Sequence, residues 1–271
     1  MTRRPPFARR VGAASWRVAA AVCSLWAGLV ILTAVVPPHS DPSDAGTLAI
    51  RIGAGAALSA LTLLVIAVLA RYADGLRLND VGLTSLRSGW RLAVWGALLW
   101  AVPAAASFGV LALFGRPLRA TGSAGELVQT VGLVLVAVLL AEAIPEEAIF
   151  RGYVTTALDA VTRGWGTIAV QAVLFVLFAG AIRQSWDPTD LSLFLAMGVG
   201  FGYLRMITGS VWASIGFHTA FQTGSQLVLS HSVIEFSGSV GLSMLALGMV
   251  PFTVAAIVVS SAGVPRWFAR S

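Results

Sequence analysis

The segment LVQTVGLVLVAVLLAEAIPEEAIFR, residues 127–151, combines an apolar run with three glutamates. A helix needs roughly 20 mostly apolar residues to cross a bilayer. The run Leu127–Ala143 approaches that length, and Glu142, Glu146 and Glu147 lie at its end. Because ionisable groups at membrane depth are costly, they are usually functional. This segment therefore predicts a spanning helix that carries reactive carboxylates.

The rest of the chain repeats the apolar pattern. The protein is 57% hydrophobic and 11% charged, with a mean hydropathy of +0.85. Soluble domains carry about 25% charged residues, so this composition excludes a soluble domain. The predicted fold is an all-α polytopic membrane helix bundle of about eight transmembrane helices. The predicted spans are Val18–Val36, Ile50–Ala70, Leu92–Phe114, Leu127–Ala143, Thr167–Ile182, Leu191–Met206, Val211–Leu229 and Gly241–Ser261.

Four regions follow from these spans. Residues 1–17 form a cytoplasmic basic tail, and residues 18–75 hold the first two transmembrane helices. Residues 76–230 form the functional core, and residues 231–271 hold the last transmembrane helix and a cytoplasmic tail. All 18 basic residues are arginines that lie between apolar runs. This pattern indicates membrane orientation signals rather than nucleic-acid binding.

No cofactor or metal site is expected. The three histidines, His39, His218 and His231, are too scattered for a local zinc motif, and Cys23 is the one cysteine. The glycines in Met197–Tyr203 resemble a dinucleotide fingerprint, but the strand that such a motif requires is missing. We interpret these glycines as small residues that allow close helix packing.

Two groups of polar residues are candidates for chemistry. Glu147 and Arg151 are four residues apart and can pair on a helix, while Glu146 is a candidate general base. His218 and Gln222 share a helix face inside an apolar span, and two convergent donors can stabilise an oxyanion. The alternatives are a solvated helix end for the glutamates and a structural helix–helix hydrogen bond for the second pair.

These residues lie in segments that resemble a known family. Glu146–Tyr153 is similar to the E-E-x-x-x-R motif of the CPBP family, the type II CAAX prenyl endopeptidase and bacteriocin-processing (Abi) proteins. Gly202–His218 resembles the last motif of that family, and Leu78–Leu83 resembles its L-x-x-L-G-L segment. The resemblance implies metal-independent peptide hydrolysis in the membrane. It also implies that Glu146 is the base with Glu147 as its neighbour, that Arg151 anchors the helix and that His218 and Gln222 stabilise the oxyanion.

Two positions depart from the family pattern. The second motif, F-x-x-x-H, corresponds to Phe175–Ala179, so alanine stands where histidine is expected. Gln222 replaces the asparagine of the final motif but keeps an amide donor. Impaired hydrolysis is therefore expected. Polar residues after the fifth span are candidate substitutes for the missing histidine: Arg183, Gln184, Asp187 and Asp190.

The sequence is compatible with three functions. The leading hypothesis is an intramembrane glutamic endopeptidase in a prokaryotic cytoplasmic membrane. Its substrate would be a peptide or protein, and the sequence leaves open whether that substrate is lipid-modified. The second is a catalytically silent membrane protein that binds a peptide or protein partner. The third is a small transporter with a glutamate proton relay, which predicts charges on other helices and broken-helix pairs.

Both chain termini are predicted to be cytoplasmic. Fourteen of the 18 arginines fall on that side if eight spans are assumed, and basic residues concentrate on the cytoplasmic side. Reporter fusions at Ser40 and Ser271 should therefore report opposite sides of the membrane. Fusions that report the same side would contradict the eight-span topology.

Overall fold

The computed structural model describes residues 7–36, 43–231 and 233–269. His39 and the arginines at positions 3, 4 and 270 lie outside this part of the chain. Nine α-helices and two short strands are formed within it. The helices are α1 Phe7–Val35, α2 Ala45–Asp74, α3 Leu86–Leu113, α4 Ala124–Asp159, α5 Trp165–Arg183, α6 Pro188–Thr208, α7 Trp212–Leu229, α8 Val240–Ala262 and α9 Arg266–Ala269. The strands are β1 Leu118–Ala120 and β2 Ile234–Phe236.

The predicted all-α membrane fold is confirmed. Each of the eight predicted spans corresponds to one of the helices α1–α8, and seven helices of the described chain are long and apolar enough to cross a membrane. The exception is α7, which contains His218, Gln222 and Gln226 among its apolar residues. These side chains lower the hydropathy of α7, although the helix has the length of 18 residues.

Helix α7 lies at the centre of the bundle and packs against α3, α4, α6 and α8. Its approach to α3 requires glycine on both sides. A Cβ atom on Gly216 would overlap the carbonyl oxygen of Ala93, and one on Gly96 would overlap the carbonyl oxygen of Ala213. Small residues allow helix backbones to approach closely in membranes. The neighbouring helices therefore shield the polar residues of α7 from lipid.

Helices α5 and α6 form a second close pair. A Cβ atom on Gly198 would lie 2.8 Å from Ala172 Cβ, and one on Gly202 would lie 3.0 Å from Gln171 Oε1. Gly200 has open space around its Cα. Two of the three glycines thus contact α5, which confirms the interpretation of this segment as a helix-packing motif.

The two short strands lie in the loops between the long helices, and they pair with each other. β1 and β2 pair in antiparallel register, with Arg119 opposite Glu235. The sequence predicted no strand here. This pairing fixes the loop before α4 to the loop after α7, so both helices that carry candidate site residues begin or end at the same small sheet.

One predicted position is wrong. His231 follows the seventh predicted span, and its side chain was expected to face solvent. It is instead 4% exposed, with Nδ1 lying 3.2 Å from Ser43 Oγ. Arg51 lies within α2, as in the predicted span Ile50–Ala70, but the helix begins earlier, at Ala45.

Substituting Gly216 with alanine should destabilise the bundle. The added methyl group has no space against the backbone of Ala93, and overpacking a core costs about 1–3 kcal/mol. The thermal unfolding temperature in detergent measures the effect, with Gly200→Ala as the matched control because that position is open. Equal unfolding temperatures for the two variants would contradict the close α3–α7 contact.

Candidate functional site

A buried carboxylate, Glu147 of α4, is the centre of a polar cluster between α4 and α7. Its Oε1 atom accepts a hydrogen bond from Arg151 Nη1 at 3.1 Å, and His218 Nδ1 lies 2.9 Å from the same oxygen. All three side chains are at most 1% exposed. An ionised carboxylate can only accept, so Nδ1 is the donor. In the described chain His218 Nε2 has no hydrogen-bond partner.

The guanidinium of Arg151 is held from three further directions. Nη2 donates to the carbonyl oxygen of Met197 at 3.1 Å. The guanidinium carbon lies 4.2 Å from the ring centre of Phe175 and 5.2 Å from that of Phe201. The His218 ring also stacks on Phe201, with 5.8 Å between ring centres. Cation–π contacts and the carbonyl therefore replace water around this buried cation.

Helix α4 changes its geometry where the glutamates lie. The short α-helical stretch Ile144–Glu147 is flanked by π-helical turns, Leu139–Ala143 and Ala148–Val154. Pro145 has no N–H group and removes a helical hydrogen bond, and π-turns frequently accompany functional sites. The prediction ended this span at Ala143. That boundary is wrong, because the helix continues through the π-turns to Asp159.

A second polar contact joins α4 to α7 near Glu142. Arg51 Nη2 forms an ion pair with Glu142 Oε1, and Gln226 Nε2 donates to the same oxygen at 3.0 Å. Arg51 Nη1 donates to Gln226 Oε1 at 2.9 Å. Neither Arg51 nor Gln226 was predicted as a site residue. The signal for Gln226 was its spacing, since it continues the four-residue repeat of His218 and Gln222.

Glu146 and Gln222 occupy the interval between these two contacts. Along α4, Glu146 lies between Glu142 and Glu147, and along α7, Gln222 lies one turn from both His218 and Gln226. Both residues are half-buried, and within the described ranges neither forms a hydrogen bond. An unpaired carboxylate and an unpaired amide are therefore available to a ligand here.

The position of the missing histidine lies close to this cluster. Ala179 on α5 is 5% exposed and lies one helical turn beyond Phe175, the ring that contacts Arg151. The next residue, Gly180, packs against the Trp186 ring. Whether Ala179 lines a cavity opposite Glu146 stays a prediction.

The other two motif segments meet beside α4. Arg205 Nε donates to the carbonyl oxygen of Arg151 at 3.1 Å. Gly82, with a φ of 82°, lies against the Arg205 guanidinium, and its carbonyl oxygen accepts from Val211 N at 3.1 Å. Only a residue without a side chain fits this close approach and positive φ. The segment before α3 thus fixes the start of α7, and with it the depth of His218.

The four polar residues proposed as substitutes lie where α5 ends and α6 begins. Asp187 caps α6, and hydrogen bonds from the backbone N–H groups of Asp190 and Thr189 lower the pKa of its carboxyl below the usual value. Arg183 pairs with Asp190 at 3.8 Å, with both side chains about half exposed. Gln184 ends α5 in a left-handed conformation. Among the described residues, no group of three or more His, Cys, Asp or Glu side chains is placed to hold a metal ion.

Comparison with protein families identifies the region that contains most of these residues. Residues 128–224 match the family model described as Type II CAAX prenyl endopeptidase Rce1-like. The match includes Glu146, Glu147, Arg151, His218 and Gln222, and it supports assignment of the chain to the CPBP family. No curated protein and no solved structure matched the chain.

Removing the buried cation should unfold the protein more readily than removing an exposed one. Arg151→Met leaves Glu147 with one fewer partner in a dry site, and breaking a buried ion pair costs about 3–5 kcal/mol. Arg183→Met breaks an exposed pair worth about 1 kcal/mol or less. The free energy of unfolding in detergent micelles measures both. Similar losses for the two variants would contradict the structural role of Arg151.

Proposed function

From the match to the type II CAAX prenyl endopeptidase family, we propose that this protein is an intramembrane peptidase in which Glu146 activates the attacking water. The observation that carries the proposal is the half-buried, unpaired carboxylate of Glu146 between two polar contacts that join α4 to α7. Glu142 and Glu147 are already engaged by arginine, whereas Glu146 is available to accept a proton. The proposed reaction needs no metal ion.

Hydrolysis would proceed in two proton transfers through Glu146. The carboxylate takes a proton from water while the water oxygen bonds to the scissile carbonyl carbon. The carbonyl π electrons move onto oxygen and form a tetrahedral oxyanion. When the oxyanion collapses, the C–N bond breaks and Glu146 returns the proton to the leaving nitrogen. The products are a carboxylic acid and an amine.

His218 and Gln222 would stabilise the oxyanion. With Nδ1 bound to Glu147, His218 presents Nε2 as its remaining polar atom, and Gln222 presents its amide N–H group. A protonated His218 and Arg151 would together balance the charges of Glu146 and Glu147. One oxyanion donor contributes about 10²–10³-fold to the rate.

The alanine at position 179 should limit this activity. The family resemblance implies a histidine there that shares water activation with the glutamate. Losing one acid/base partner typically costs about 10²–10⁴-fold in rate. Slow hydrolysis of membrane peptides, lipid-modified ones among them, is therefore the expected activity, in a prokaryotic cytoplasmic membrane with both termini cytoplasmic.

Ala179 also favours a second candidate function, that of an inactive family member that binds a peptide or protein partner. The unpaired Glu146 and Gln222 would then bind polar groups of the partner without cleaving it. The two functions differ in whether product forms, so a cleavage assay separates them.

Glu146→Gln should abolish cleavage, because an amide cannot accept the proton of water. The assay follows cleavage of a farnesylated peptide and of the same peptide without the lipid in proteoliposomes. Glu235→Gln is the matched control, since Glu235 is an exposed glutamate on β2. Undiminished cleavage by folded Glu146→Gln would exclude Glu146 as the base.

Ala179→His should raise the cleavage rate by about 10²-fold or more, the typical worth of one acid/base partner. The gain should vanish in Ala179→His with Glu146→Gln, because both residues act on the same water. Equal rates for wild type and Ala179→His would mean that another residue already serves this role. No cleavage by any variant, with all of them folded, would favour the binding function.

A further inference from the structure

The contact around Glu142 is a closed triangle of side chains from three helices. Arg51 comes from α2, Glu142 from α4 and Gln226 from α7, and each side chain bonds to both of the others. The family match covers residues 128–224, so Arg51 and Gln226 lie outside it. The triangle is thus a feature that the family resemblance does not account for.

The face of α2 that carries Arg51 packs directly on the π-turn of α4. Arg51, Gly55 and Ser59 follow one another at four-residue spacing along α2. A Cβ atom on Gly55 would lie 2.8 Å from Ala141 N, and Ser59 Oγ donates to Leu140 O at 2.5 Å. Three successive turns of α2 therefore contact residues 140–142 and hold the π-turn that presents Glu142.

Connecting three helices through charged side chains costs more free energy in a membrane than connecting them through apolar side chains. Arg51 and Glu142 are each 20% exposed, and charges at membrane depth are costly even when paired. Apolar residues in place of a buried ion pair are often neutral or stabilising. Stability alone therefore gives little reason for this contact, whereas a requirement for fixed geometry does.

The triangle lies one helical turn from Glu146 and Gln222, the two residues proposed to act on the substrate. Glu142 lies one turn from Glu146 on α4, and Gln226 lies one turn from Gln222 on α7. The other end of the interval is fixed by the hydrogen bond between Glu147 and His218. Without the triangle, the bond between Glu147 and His218 would be the remaining polar contact between α4 and α7 beside Glu146 and Gln222 in the described chain.

We propose that Arg51 is a positioning residue, which through Glu142 and Gln226 sets the separation of α4 and α7 at Glu146 and Gln222. This inference rests on the proposed peptidase function. A displacement of about 1 Å in an active site can cost about 10²-fold in rate. Loss of Arg51 should therefore lower kcat by about 10²-fold. KM should change much less, because the residue does not touch the substrate.

Charge reversal tests the geometry of the triangle. Arg51→Glu and Glu142→Arg each place like charges together and should lower kcat. The double variant restores the ion pair, and the Gln226 amide can serve either orientation as donor and acceptor. We expect the double variant to recover most of the wild-type kcat. The matched control is the exposed cross-strand pair Arg119 and Glu235, whose reversal should leave kcat unchanged.

An apolar pair separates positioning from folding if the charge-reversed variants do not fold. Arg51→Met with Glu142→Met removes both charges together and should retain the unfolding temperature. The proposal predicts a kcat that is still about 10²-fold lower. Wild-type kcat in this folded variant would overturn the proposal, as would a folded charge-reversed double variant no faster than its folded single variants.

A distance measurement makes the test independent of catalysis. With Cys23→Ser, spin labels at the exposed positions Val136 of α4 and Leu229 of α7 report the separation of the two helices. We expect a narrow distance distribution that broadens or shifts in Arg51→Met. If the wild-type protein does not cleave the peptides but the distribution broadens in Arg51→Met, the peptidase function is refuted and the helix-positioning role is retained. If the wild-type protein cleaves the peptides, and Arg51→Met changes neither the distance distribution nor kcat, only the positioning role is refuted.

Discussion

Glu147 of α4 accepts hydrogen bonds from Arg151 of the same helix and from His218 of α7, and the second bond joins the two helices inside the bundle. A charged carboxylate in such a place requires partners from more than one direction. Arg151 in turn is held by the Met197 carbonyl and by the Phe175 ring. The relative positions of α4, α5, α6 and α7 therefore follow from satisfying one buried charge.

This constraint divides the three glutamates near the π-turns of α4 by role. Glu147 is engaged through Oε1 by Arg151 and His218, and Glu142 is engaged by Arg51 and Gln226, whereas Glu146 is half-buried and unpaired. Satisfied polar groups stabilise a membrane helix bundle, but a group that is already satisfied has little capacity to act on a ligand. The chemistry proposed for Glu146 thus depends on its neighbours being bonded to other side chains.

Helix α7 is the reason that such a polar interior can exist. Its polar residues would be costly against lipid, but α3 approaches so closely at Gly96 and Gly216 that backbone meets backbone. The hydrogen bond from Val211 N to Gly82 fixes where α7 begins, and so fixes the depth of His218. The same helix packing therefore has two effects: the helices around α7 contact it closely, and they exclude lipid from its polar side chains.

The helical membrane fold, the eight long helices and the Glu147–Arg151 pair could be predicted from the sequence, because hydropathy and four-residue spacing are local properties. Helix packing, in contrast, brings His218 to Glu147 and joins Arg51 to Glu142 and Gln226, and the continuation of α4 past Ala143 through π-turns was not predictable from local pattern. These features depend on residues up to 175 positions apart in the chain. Their proximity follows from the packing of helices, which the periodicity of one helix does not encode.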